Sequence, residues 1–147
     1  MNYIKHVGVY VKDLELMTGF YKKAFGLIPL CENTIDTGTL YNLLYGGDNA
    51  SAQITKLVTE YGRQQGQGDM LELVHVEIGE NIRCAETQRE IYDIGLSHIS
   101  IGVDNIEETV AQILKYGGRK KTDILAINQR KCCFCTDPEG NVIEIIQ

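Results

Sequence analysis

No apolar run in this 147-residue sequence approaches the roughly 20 residues that a membrane-spanning helix needs, so a helical membrane protein is not expected. The opening Met1-Asn2-Tyr3-Ile4-Lys5-His6 lacks the apolar stretch of a secretory signal, and residence in the cytoplasm is the expectation. Basic charge is in short supply too, with 14 Lys and Arg against 20 Asp and Glu and a net charge of −6. A nucleic-acid binder needs a basic face to displace counterions from phosphates. Neither nucleic acid nor a membrane is therefore an expected partner; a small molecule or a second copy of the chain is. Cysteine is sparse and odd in number, with Cys31, Cys84, Cys132, Cys133 and Cys135 at irregular spacing, which fits reduced thiols better than a disulfide framework. Proline is scarce, at 2 residues, and 44% of the chain is hydrophobic, the profile of one compact soluble domain. A chain this long buries roughly 70% of the surface that its unfolded state exposes, so folding needs neither disulfide nor structural metal. Any bound metal then has a functional part to play.

What the sequence does contain is an internal echo. Residues 6–26, HVGVYVKDLELMTGFYKKAFG, align without a gap on residues 98–118, HISIGVDNIEETVAQILKYGG. A second echo pairs Leu71-Glu72-Leu73-Val74 with Ile143-Glu144-Ile145-Ile146. Two copies at so long a period do not make a solenoid. They predict two packed modules in one domain, the first about 1–78 and the second about 93–147. A polar connector at 79–92, with a short helix around 82–91, would join them.

Local signals agree with the duplication. Asp13 is placed to cap a helix whose Met17, Phe20, Tyr21, Ala24 and Phe25 recur at helical spacing, with Gly26 at its C-terminal end. Asn105 and Glu108 resemble a capping box ahead of the stripe Ile106, Val110, Ile113 and Leu114, which Gly117 and Gly118 end. Strands are expected around 40–45, 51–58 and 70–78, and again around 124–127, 130–136 and 141–146. Asp137-Pro138-Glu139-Gly140 has the proline and glycine positions of a type I turn and should join the last two strands as a hairpin. The polar, glycine-rich stretch 59–69, TEYGRQQGQGD, is a candidate lid or simply solvated surface.

Strand parity turns this pattern into a candidate site. Side chains alternate between faces, so His6, Gly8 and Tyr10 share one face while Val7, Val9 and Val11 share the other. His98, Ser100 and Gly102 stand in the same relation to Ile99, Ile101 and Val103. Glu72 falls opposite Leu71 and Leu73, beside Met70 and Val74, and Glu144 falls opposite Ile143 and Ile145, beside Val142 and Ile146. Taken singly, a histidine at a strand start and a glutamate near a chain end have ordinary structural explanations. Four at echoing positions are another matter, because an ionised carboxylate among apolar neighbours needs a partner and a divalent cation is an effective one. Two imidazoles and two carboxylates suit Zn, Ni, Co, Mn or Fe(II). His75 has the opposite parity to Glu72 and should point away, and Cys132, Cys133 and Cys135 lack the spacing of a zinc site.

Over nearly its whole length the chain resembles the vicinal oxygen chelate superfamily, through HVGVYVKDLELMTGFYKKAFGL at the start, MLEL at 70–73, GLSHISIGVDN at 95–105 and DPEGNVIEI at 137–145. The resemblance implies an α+β fold of paired βαβββ modules forming a curled, metal-binding mixed β-sheet barrel, often as a homodimer. It implies His6, Glu72, His98 and Glu144 as the metal ligands, the four-ligand pattern of glyoxalase I-like members. The ion expected is Zn, Ni or Co, with Mn and Fe also within reach of the set. The implied activity is that of a lyase or isomerase acting on a small α-oxygenated carbonyl or thiohemiacetal through an enediolate, with Glu144 as general base and Glu72 its partner on the other face. Other members of the superfamily set the alternatives: a methylmalonyl-CoA epimerase-like racemase, an Fe(II) dioxygenase, or a ligand-binding or resistance protein without catalysis. At the two positions where glutathione-dependent glyoxalase I carries Arg and Asn for the glutathione carboxylate, this chain has Tyr10 and Val76.

Overall fold

A computed structural model describes residues 2–46, 48–76, 91–92 and 94–147, so the helix expected around 82–91 and most of the connector lie outside the described residues. The chain divides into two compact units. The first echo opens, in chain order, β1 (Val7–Tyr10), α1 (Leu14–Phe25), β2 (Ile28–Thr37), α2 (Thr39–Tyr45), β3 (Ser51–Val58), α3 (Glu60–Gln65) and β4 (Met70–His75). Their sheet runs β1-β4-β3-β2, with β1 parallel to β4 and the other pairings antiparallel. The second echo opens β5 (Ile99–Gly102), α4 (Ile106–Lys115), β6 (Arg119–Lys120), β7 (Leu125–Ile127), β8 (Arg130–Thr136) and β9 (Val142–Ile146). Here the order is β5-β9-β8-β6, with β7 also on β8 and β5 parallel to β9. The result is a mixed α+β fold of two open sheets. This is the α+β fold of two βαβββ modules expected from the sequence; among the described residues the terminal strands of each sheet have no further strand beside them, so each sheet is curled and open and does not close on itself.

Both crossover helices start and stop where the residues dictate. Asp13 Oδ1 accepts from Leu16 N at 2.9 Å, and Gly26, at φ 66°, takes the left-handed conformation that ends α1. Met17, Phe20 and Tyr21 are fully buried along the expected stripe. Asn105 Oδ1 accepts from Glu108 N at 3.0 Å to cap α4, and Ile106, Val110 and Ile113 are buried. Leu114 is not: it is half exposed, because the stripe that faces β6 and β8 is narrower than the sequence pattern suggested. Gly118 follows where no side chain fits, since a Cβ there would stand 2.5 Å from the Thr136 carbonyl oxygen and 2.6 Å from Ile113 Cγ2.

The last hairpin forms as expected, Gly140 N donating to the Asp137 carbonyl at 3.1 Å across the turn between β8 and β9. Two segments differ from expectation. Residues 40–45 are helix, not strand: Gly38 and Gly46 bracket about two helical turns whose Tyr41 and Tyr45, four residues apart, pack on Ala52, Ile54, Val74 and Val76, while Leu40, Leu43 and Leu44 are exposed. Residues 60–65 within the glycine-rich stretch are also helical, because Thr59 Oγ1 accepts from Gly62 N at 3.0 Å and its hydroxyl donates to Asp69 at the far end of the segment. β2 went unanticipated. Register shifts between Pro29 and Cys31 and between Cys31 and Thr34 break its alternation, with Asn33 at positive φ.

Candidate metal centre

Each unit brings one imidazole to one carboxylate by the same device. β1 runs parallel to β4 in a register that sets Gly8 beside Glu72, and β5 runs parallel to β9 in a register that sets Ser100 beside Glu144. The histidine one residue ahead of each first strand then turns toward the carboxylate. His6 Nε2 lies 3.0 Å from Glu72 Oε2, and His98 Nε2 lies 3.6 Å from Glu144 Oε2. The Glu72 side chain is 14% exposed and that of Glu144 22%, so both carboxylates are largely shielded from solvent. Leu71, Leu73, Ile143 and Ile145 are buried on the opposite faces, as strand parity required.

The donor chemistry fits a divalent ion. Neutral imidazole nitrogen and carboxylate oxygen are the ligands that Zn, Ni or Co accept, and a Cβ on Gly8 would meet nothing within 4 Å, so there is room beside Glu72. Ser97 Oγ lies 2.8 Å from His98 Nδ1, a contact that orients the ring with its Nε2 on the side of Glu144. Phe134 stands edge-to-face against the His98 ring at 5.4 Å and restricts its rotation. Among the described residues the donors stand as two pairs, and no group of three or more His, Cys, Asp or Glu side chains is gathered closely enough to hold an ion. His75 takes no part, its Nδ1 lying 3.0 Å from the Val11 carbonyl oxygen.

Three groups at this face were not anticipated. Lys56, opposite Glu72 across the β3–β4 ladder, holds its Nζ 3.4 Å from Glu72 Oε1. Its signal was present in the sequence, since Ala52, Ile54 and Lys56 alternate along one strand face and the lysine replaces the apolar residue due there. Tyr45 and Tyr41 are the others. Tyr45 OH lies 2.9 Å from Tyr10 OH, and Tyr41 OH donates to Asp36 Oδ2 at 3.0 Å. Tyr10 and Val76 thus sit in an aromatic and apolar wall, Tyr10 bonded to a neutral phenol and Val76 packed with Val74 under the α2 tyrosines.

Burial, reinforced by the Asp36 hydrogen bond and by the negative charges of Asp36 and Glu72, pushes the Tyr41 phenol from 10.0 up to about 12. Burial and the Tyr10 hydroxyl raise Tyr45 as well. A phenol with a raised folded-state pKa contributes stability that is complete below its unfolded value near 10 and is lost as pH climbs through the folded value. Unfolding resistance should therefore fall between about pH 10 and about pH 12, and Tyr41→Phe should flatten that fall. Chemical denaturation at several alkaline pH values checks this; the same pH slope in variant and wild type would refute it.

Two open sheets of βαβββ connectivity, each closing on a His–Glu pair, define a duplicated α+β protein with imidazole and carboxylate donors on its sheets. The chain belongs to the glyoxalase/bleomycin resistance protein/dioxygenase superfamily, the vicinal oxygen chelate fold, whose family model matches residues 3–145. It is 26% identical over 149 residues to a probable lactoylglutathione lyase of Synechocystis sp. (strain ATCC 27184 / PCC 6803 / Kazusa), covering 99% of this chain and 95% of the relative. Among solved structures, a glyoxalase family protein from Bacillus cereus is similar at a TM-score of 0.84 and 19% identity, over 99% of this chain and 93% of that one. A trypanothione-dependent glyoxalase I from Leishmania major is similar at a TM-score of 0.63 and 20% identity, over 100% and 87%. These structural likenesses establish the fold.

Proposed function

We propose that the chain is a metal-dependent lyase or isomerase of the glyoxalase type, acting on a small α-oxygenated carbonyl compound or thiohemiacetal. The observation that carries this reading is the repeated pairing of a histidine Nε2 with a glutamate carboxylate, once in each unit. The kinship with a probable lactoylglutathione lyase supports it. His6, Glu72, His98 and Glu144 are the proposed ligands of Zn, Ni or Co, with Mn and Fe(II) compatible with the same donors. Such an ion, when bound, supplies Lewis acidity to neighbouring substrate oxygens and lowers the cost of the charge that builds there as a C–H proton leaves.

The protein's own groups do the rest. His6 and His98 act as fixed neutral donors, His98 oriented by Ser97 and Phe134. A Glu144 carboxylate oxygen takes the proton from carbon and returns it to the adjacent carbon, and Glu72 serves the opposite face of the substrate. The remote part of the substrate meets the neutral Tyr10–Tyr45 pair. That wall offers no charge to a glutathione carboxylate, so hemithioacetals of uncharged thiols are favoured over that of glutathione. The free thiols Cys31, Cys132, Cys133 and Cys135 accord with a reducing cytoplasmic setting, and a homodimer is the proposed assembly.

Elemental analysis of the purified protein beside alanine variants at His6, Glu72, His98 and Glu144 tests the reading. Each substitution should lower bound metal by about tenfold or more and abolish turnover. Unchanged metal content in all four would end it.

A further inference from the structure

The two units are built on the same connectivity, so corresponding positions can be compared directly, and at one of them they differ in charge. Glu72 in β4 and Glu144 in β9 correspond. Each has a parallel strand on one side, with Gly8 or Ser100 as its neighbour. On the other, antiparallel side, the neighbour of Glu72 is Lys56 and the neighbour of Glu144 is Phe134. Both neighbours lie on the carboxylate's own face, because directly opposed residues of a ladder project to the same side. Phe134 approaches the His98 ring, whereas Lys56 approaches the carboxylate itself.

The consequence is a division of labour between the two oxygens of Glu72. Oε2 faces His6 Nε2 at 3.0 Å, and Oε1 faces Lys56 Nζ at 3.4 Å. Glu144 has His98 at 3.6 Å as its one ion-pair partner among the described residues. We propose that Lys56 is a positioning residue that occupies Oε1 of Glu72 and leaves Oε2 as the single oxygen offered to a cation, whereas Glu144, opposite Phe134, is unrestrained and free to exchange. This rests on the proposed metal-dependent function and deepens it: it explains how two residues at equivalent positions of a duplicated fold come to act differently. The carboxylate with a lysine across the ladder is the steady ligand, and the one with a phenylalanine there is the proton carrier.

Two effects of Lys56 on metal affinity oppose each other. Ordering the Glu72 side chain favours binding modestly, since the freedom lost by one side chain is small. The positive charge disfavours a second cation more strongly: a unit charge about 4 Å away changes an equilibrium by roughly fivefold even in water, and a doubly charged ion feels twice that free energy. Charge should win. Removing Lys56 should tighten metal binding while releasing Oε1.

The test uses the full chain, stripped by chelator and titrated with Zn(II), with Co(II) as the spectroscopic probe. Lys56→Met should bind Zn(II) about tenfold more tightly and alter the visible Co(II) spectrum as Glu72 gains a second available oxygen. Lys56→Arg should restore both properties toward wild type. Phe134→Lys should weaken Zn(II) binding by a comparable factor, beyond any change in Phe134→Leu, which removes the ring without adding charge. Thermal unfolding of each variant confirms that it is folded. If Lys56→Met matches the metal-binding wild type within about twofold and shows the same Co(II) spectrum, the positioning role is overturned while the metal-dependent reading stands. If wild type takes up neither ion, both fall together.

Discussion

Glu144→Gln is expected to lower turnover of a hemithioacetal substrate by about 10²–10⁴-fold, the usual contribution of a positioned general base. Glutamine keeps the length, the volume and one acceptor oxygen, so the side chain still fits between Val142 and Ile146 on the face beside Ser100. What it loses is the ability to accept a proton from carbon. His6, Glu72 and His98 remain as three donors, so the variant should retain metal more fully than Glu144→Ala does. Parallel metal analysis and initial rates separate the two effects. A variant that holds its metal and still turns over within about tenfold of wild type would show that the base lies elsewhere. A wild type that binds carbonyl compounds and converts none would favour a ligand-binding member of the superfamily instead.

The second large effect concerns stability. Asp137 is 1% exposed at the head of the β8–β9 hairpin. Its Oδ1 accepts from Glu139 N at 3.0 Å and Asn141 N at 2.9 Å, and its Oδ2 accepts from Asn141 Nδ2 at 2.8 Å. Alanine would strand these donors in a partly buried turn. Hydrogen bonds to a charged acceptor are worth about 1.5–3 kcal/mol each, but water can reach some of the freed groups, so a loss of about 3 kcal/mol is expected. For a chain of this size that lowers Tm by about 6–12 °C. Asp137→Asn keeps an oxygen for the two backbone donors and loses the bond to Asn141 Nδ2, so it should cost roughly half as much. Thermal unfolding followed by circular dichroism decides it. The hairpin also carries Glu144 and Phe134, so loosening the turn should reduce metal retention as well as Tm. A Tm within about 2 °C of wild type for Asp137→Ala would refute the ledger of bonds.

Much of this architecture was legible in the chain because it depends on neighbours in sequence. The caps at Asp13 and Asn105 and the hairpin at Asp137–Gly140 are local chemistry, and the structure places them where the residues indicated. So is the alternation that puts His6 and Glu72 on the faces opposite Val7 and Leu71. Where local rules were broken, the reading failed. β2 carries two register shifts and a left-handed Asn33, which destroy the period of two that marks a strand. The stretch Thr39–Tyr45 is rich in residues that suit either state, and its helix is decided by flanking glycines and by the packing of Tyr41 and Tyr45 on β3 and β4. The glycine-rich segment after β3 reads as loop until Thr59 is seen to close on both Gly62 and Asp69.

The amino-acid sequence alone determined the duplication, written in echoes 92 and 72 residues apart, and the parity of β1, β4, β5 and β9, which follows from alternation over a few residues and sets His6, Glu72, His98 and Glu144 at matching positions. Tertiary structure alone decided what stands beside those donors. The ladder that brings Lys56 to Glu72 and Phe134 to Glu144 is a register between separate strands, set by burial and backbone hydrogen bonding over whole sheets. A strand's own residues specify which way a side chain faces, but not which side chain it will meet there.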